Sequence, residues 1–74
     1  MKMQLNKEVA ILRLREYFLE LGQDLHISNT VIDKNRKGQV YISDIKTGEI
    51  IKDHTTIKEL LIENSLLLPN EELN

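Results

Sequence analysis

Few side chains in this sequence could do chemistry. There are two histidines, His26 and His54, and no cysteine. Without thiols neither disulfides nor thiolate metal sites can form. A zinc site takes three or four protein ligands. Asp24, Asp44 and Asp53 could join the imidazoles, but their spacing matches no ligand motif, so both histidines read as surface side chains and no metal is expected. Ser28, Ser43 and Ser65 lie in no G-x-S-x-G elbow, the strained turn that exposes a nucleophile. Glu49 and Asp53 could act as paired carboxylates, but acids at strand and turn positions are normally solvated. Gly22, Gly38 and Gly48 are isolated turn punctuation and form no phosphate-cradling loop. A chain of 74 residues also leaves little room for an enzyme-sized pocket. The expectation is a protein with no catalysis, no cofactor and no small-molecule substrate.

Charge points to partners only weakly. The net charge is −2, which gives no global attraction to nucleic acid. The densest positive cluster, Lys34-Asn35-Arg36-Lys37, could contact phosphates from a hairpin tip. The plainer reading is a solvated loop that keeps a hairpin from aggregating. A nucleic-acid alternative would use Lys34, Arg36, Lys37, Lys46, Lys52 and Lys58. Base-stacking aromatics are scarce, since Tyr17 and Phe18 suit a helix core and only Tyr41 remains.

The elements that must position these groups follow from periodicity. Ile11, Leu14, Phe18, Leu21 and Leu25 step by three and four residues and form one stripe of an amphipathic helix over about 7–23. Asn6 suits its N-cap, and the end is expected between Leu21 and Leu25, with either an early stop at Gly22 or a run through Leu25. HISNTVID predicts a strand over about 27–33, followed by a polar hairpin loop over 33–38. QVYISDI, residues 39–45, alternates, with Val40, Ile42 and Asp44 on one face and Tyr41, Ser43 and Ile45 on the other. Lys46-Thr47-Gly48 fits a type I turn closed by a glycine bulge, and residues 49–53 pair back. Thr56-x-x-Glu59 is a capping box opening a second helix, expected over about 56–68 and stopped by Pro69. The tail 69–74 is polar and expected to fray. The fold class is therefore α+β, a single αβββα domain, with two helices on one face of a three-stranded antiparallel meander.

Two stretches carry a family likeness. Residues 38–67, GQVYISDIKTGEIIKDHTTIKELLIENSLL, are loosely similar to hairpin-plus-helix DNA-binding modules attached to homing endonucleases. Asp44, Thr47-Gly48-Glu49 and Thr56 fill the matching places. Pro69 and the acidic tail stand where the next helix of such a module would follow. ILRLREYFLELG resembles the first helix of small sporulation aspartyl-phosphate phosphatases. Their Ser-Gln-x-x-Asp signature is absent, because Asn29 follows Ser28 and the acid comes at Asp33. Neither likeness assigns a family.

A second apolar set gives the best functional clue. Leu5, Val9, Leu12 and Leu19 fall on a different face of the first helix from its main stripe, and Ile62 and Leu66 leave the main face of the second. A domain this small buries roughly 60% of its unfolded surface and often needs a staple. With cysteine absent, oligomerisation is the remaining one. Either the core is wide and covers both sets, or Leu5, Val9, Leu12, Leu19, Ile62 and Leu66 form an interface, most economically in a twofold homodimer. No run of about 18 apolar residues exists, and MKMQLNKEV lacks the core and cleavage site of a secretory signal, so neither a membrane span nor export is expected. The Ile-, Asn- and Lys-rich, alanine-poor composition suits an AT-rich coding sequence. The functional expectation is a cytoplasmic, homodimeric protein-binding module. It would be an accessory factor of a bacterium or phage that modulates or inhibits a larger protein. A small DNA-binding regulator using the basic tip is the alternative.

Overall fold

A computed structural model describes residues 2–28 and 39–73. The elements are β1 (Met3–Leu5), α1 (Lys7–Glu20), β2 (Gln23–Ile27), β3 (Val40–Asp44), β4 (Ile50–Thr55), α2 (Ile57–Glu63) and β5 (Glu71–Leu73). The αβββα order is present, with β2-β3-β4 as an antiparallel sheet. Two short strands frame it, β1 pairing in parallel with β5.

Helix α1 begins where Asn6 supplies a side-chain acceptor, Oδ1 taking the Glu8 N–H at 2.7 Å. It ends at Glu20, short of the expected residue 23. Gly22 takes a φ of +75°, the left-handed conformation that glycine tolerates and that terminates helices. The break changes the period of the core. Ala10, Leu14 and Phe18 are buried from the helix, whereas Leu21 is exposed and Leu25 reaches the core as the middle residue of β2. The second strand thus starts at Gln23, earlier than residue 27. Val31, Ile32 and the expected hairpin loop 33–38 lie outside the described residues.

Strand β3 alternates as its sequence predicts. Val40 and Ile42 are buried toward the helices beside Leu25, their neighbours across the β2–β3 register being Ile27 and Leu25. Leu14, Phe18, Ile57, Leu60 and Leu61 close this core. At the β3–β4 turn Gly48 has a φ of +74°. Asp44 Oδ1 accepts the N–H groups of Lys46 and Thr47 at 2.8 and 2.9 Å. Strand β4 continues to Thr55 in a register broken twice, between Val40 and Ile42 and between Ile42 and Ser43.

The capping box opens α2 as expected. Thr56 Oγ1 accepts the Glu59 N–H at 3.2 Å, and the Glu59 carboxylate accepts from the Thr55 hydroxyl. The helix ends at Glu63, not at residue 68. The Ser65 N–H bonds to the Ile62 carbonyl at 3.2 Å and the Leu66 N–H to the Leu61 carbonyl at 2.7 Å, the crossed pair of a Schellman motif. Asn64 Nδ2 donates to the Leu60 carbonyl at 2.9 Å, and Ser65 sits at a φ of 56°. Short polar side chains that bond their own backbone favour such an exit over another helical turn.

The expected frayed tail is the largest correction. Glu71, Glu72 and Leu73 pair with Met3, Gln4 and Leu5. Glu71 is buried and meets Arg13 of α1 in a bidentate ion pair, Nη1–Oε1 at 2.7 Å and Nη2–Oε2 at 3.1 Å. Arg13 Nη1 also donates to the Leu66 carbonyl at 2.7 Å, and the Leu68 N–H donates to Glu71 Oε1 at 3.0 Å. A planar guanidinium matches a carboxylate in this way and leaves donors for a third partner.

These contacts generate three expectations. A non-glycine residue in the left-handed region carries about 1–2 kcal/mol of strain, partly offset by the entropy that glycine would lose on folding. Ser65→Gly therefore raises the unfolding free energy by about 1 kcal/mol, read by urea denaturation. Arg13→Ala and Glu71→Ala each lower the urea midpoint, and the double variant falls clearly short of the sum of the two, because each single change already breaks the same pair. Finally, three carboxyls lie below their ordinary values of 3.8 for Asp and 4.5 for Glu: Glu71 through the Arg13 guanidinium, Glu59 through the Thr55 hydroxyl, and Asp44 through the Thr47 N–H. The unfolded chain binds these protons first as pH falls. Stability is thus complete above the ordinary carboxyl range and is lost as pH drops through the lower folded-state values, which melting curves taken from pH 7 to pH 2.5 will display.

Candidate functional site

The two helices use one side each for the core, and apolar residues remain on the other. At 100° per residue, Val9, Leu12, Glu16 and Leu19 fall within about 80° of one another. They stand opposite Ala10, Leu14 and Phe18, which are buried. The sheet and α2 cover only that inner side, so Val9 is 48%, Leu12 56% and Leu19 54% exposed. Helix α2 repeats the arrangement, with Ile57, Leu60 and Leu61 buried and Ile62 56% exposed. A core wide enough to absorb both apolar sets is therefore not what the chain builds. Two of the six expected surface residues do leave the set. Leu5 is buried, because it belongs to β1 and not to the helix. Leu66 is half-buried against the core, because the Schellman turn folds it back.

The basic residues do not converge among the described residues. Lys34, Arg36 and Lys37 lie outside them. Lys46 sits in the β3–β4 turn beside Asp44, whose side chain accepts the Lys46 N–H. Lys52 Nζ lies 3.5 Å from Glu63 Oε1, so an acid accompanies its charge. Lys58 is exposed in the first turn of α2.

The outer face of the sheet holds an arrangement that residue types alone did not reveal. His26 of β2 stacks on Tyr41 of β3 with ring centroids 4.6 Å apart and planes at 14°. His54 of β4 lies against the other side, 5.1 Å from Tyr41. His26 Nε2 is 2.7 Å from Ser43 Oγ and 3.8 Å from Asp24 Oδ2. The residue types are those of a hydrolytic triad, but the geometry is not. In a triad the acid holds one ring nitrogen and the hydroxyl meets the other. Here both approach Nε2. His54 Nδ1 pairs at 2.9 Å with Asp53 of its own strand. The cross-strand register sets His26 opposite Tyr41, and residue spacing alone does not yield it.

Beside the edge of β2 that no described strand pairs with runs a groove of about 660 Å³, lined by Arg15 and Leu19 from α1 and by Asp24, His26 and Tyr41 from the sheet. Among the described residues no group of three or more His, Asp or Glu side chains could hold a metal ion. No helix among them is long and apolar enough to cross a membrane.

No protein-family model, no curated protein and no solved structure is matched by this chain.

Proposed function

We propose that this chain is a small non-enzymatic protein-binding module that acts as a homodimer and modulates or inhibits a larger protein. The observation that carries the reading is the outward row of Val9 and Leu12 on α1, with Leu19 further along and Ile62 on α2, all about half exposed. Burying a side chain of this size contributes about 1.5–3 kcal/mol, a large share of the stability of a small domain. Single exposed apolar residues need no explanation, but a row at helical spacing is the pattern an amphipathic helix offers to an apolar groove. Glu8, Arg15 and Glu20 flank it and the exposed Glu16 stands within it, and these charged groups would form the polar part that such interfaces carry. The composition suits a bacterial or phage accessory factor, acting in the cytoplasm. The DNA-binding reading draws no support from the described lysines, which are dispersed and include one already paired with an acid.

The test is capture by the tagged chain from a bacterial lysate, with Leu12→Glu/Ile62→Glu as the matched variant. Both positions are exposed, so the variant keeps the wild-type far-UV spectrum and melting temperature. The wild type retains one protein in stoichiometric amount, through nuclease treatment and through a rise from 50 to 500 mM salt, and the variant loses it. Retention that disappears with nuclease and falls steeply with salt is the behaviour of phosphate contacts and would replace this reading with the nucleic-acid one.

A further inference from the structure

The sheet has two edges, and they differ. At β4 the register with β3 shifts twice within a few residues. Such bulges twist an edge away from further pairing. At β2 the register is unbroken from Gln23 to Ile27, and nothing among the described residues pairs with its far side. The backbone groups on that far side can be assigned. The Ile45 N–H bonds to the Gly22 carbonyl and the Ser28 N–H to the Gln39 carbonyl. By antiparallel alternation Asp24 and His26 also direct their N–H and C=O groups to β3. Gln23, Leu25 and Ile27 point theirs outward, away from the sheet.

We infer that β2 is the dimerisation strand, pairing antiparallel with β2 of a second copy of this chain about a twofold axis at Leu25. This takes up the dimeric part of the function proposed above and assigns it to a surface separate from Leu12 and Ile62. About that axis Gln23 faces Ile27 of the other copy, Leu25 faces Leu25, and Ile27 faces Gln23. These are the residues with outward backbone groups, so every one of those groups gains a partner. The intervening position is a non-hydrogen-bonded pair, in which the side chains come closest. It sets Asp24 opposite His26, and by symmetry His26 opposite Asp24, an acid against an imidazole twice over. Moving the axis by one residue would set Asp24 against Asp24 or His26 against His26. Moving it by half a residue would oppose outward groups to inward ones. Only the Leu25 axis satisfies backbone and charge together. The His26 ring is held on the outer face by Ser43 at 2.7 Å and by its stack on Tyr41.

Two measurements test the assignment. In sedimentation the wild type forms a species of twice the 8.6 kDa chain mass. As concentration rises, amide exchange at Gln23, Leu25 and Ile27 slows by about tenfold or more, while Asp24 and His26, bonded to β3 in either state, stay unchanged. Asp24→Lys and His26→Asp are each monomeric alone. Mixed in equal amounts they form a heterodimer, because one copy of each sets the introduced lysine against an acid and His26 against an acid. This rescue shows that neither variant failed merely by misfolding. A chain that is monomeric at every concentration overturns the inference. So does a dimer whose Gln23, Leu25 and Ile27 amides exchange fast, or one that survives in both single variants. Loss of target capture in Leu12→Glu/Ile62→Glu with an intact dimer, or the reverse, tells the two proposals apart.

Discussion

The ion pair between Arg13 and Glu71 governs how this domain closes. One guanidinium holds the last strand through both carboxylate oxygens and the segment after α2 through the Leu66 carbonyl. Strands β1 and β5 have three residues each, too little to persist as an isolated pair in water. Their place depends on the helix between them in sequence. Leu5 enters the core from one, and Leu73 packs on it from the other. Desolvating a carboxylate and a guanidinium costs nearly what their attraction returns. The pair thus contributes position more than net free energy: it selects one register for β5 and one exit path for the chain after α2.

The parts of the fold that were legible in the sequence are those with local causes. Alternation marked β3, Asn6 and Thr56 marked the helix starts, and Gly22 and Gly48 marked turns whose φ values are positive. The parts that were not legible have distant or competing causes. Three residues cannot display a period, so β1 and β5 left no pattern, and a parallel pair between distant segments leaves no local trace. Glu71 stands among acids in a stretch that reads as solvated. Its one trace was Arg13, a cation at the border of the buried stripe of α1. The apolar period of α2 ran on through Leu66–Leu68 and concealed the Asn64–Ser65 exit, because hydrophobic spacing is blind to side chains that bond their own backbone. The exposed helix row was visible as a second stripe. The ring stack of His26, Tyr41 and His54 was not, since it follows from cross-strand register.

The domain divides its surface by physical type. One sheet face and the inner sides of both helices hold the aliphatic core. The outer sheet face carries rings and short polar groups that bond to one another, with Ile50 exposed opposite Ser43. Among the described residues no buried side-chain nitrogen or oxygen lacks a partner. The apolar residues that remain outside are therefore not a symptom of loose packing. They coexist with an interior in which Leu14, Val40 and Leu61 are wholly enclosed.

The pairing of β1 with β5 also bears on how a ribosome makes this domain. Met3 is aligned with Glu71, so the first strand has no neighbour until nearly the whole domain has been synthesised. Helix α1 can form early, but Arg13 waits for an acid 58 residues further along the chain. Until then Leu5 and the Arg13 charge face water on a partly built domain. Closing so long a loop adds an entropic cost that grows slowly with its length, and contacts of this separation slow folding. Completion of the fold thereby waits for β5, and a domain cut before Glu71 would be left open at the seam between β1 and β5.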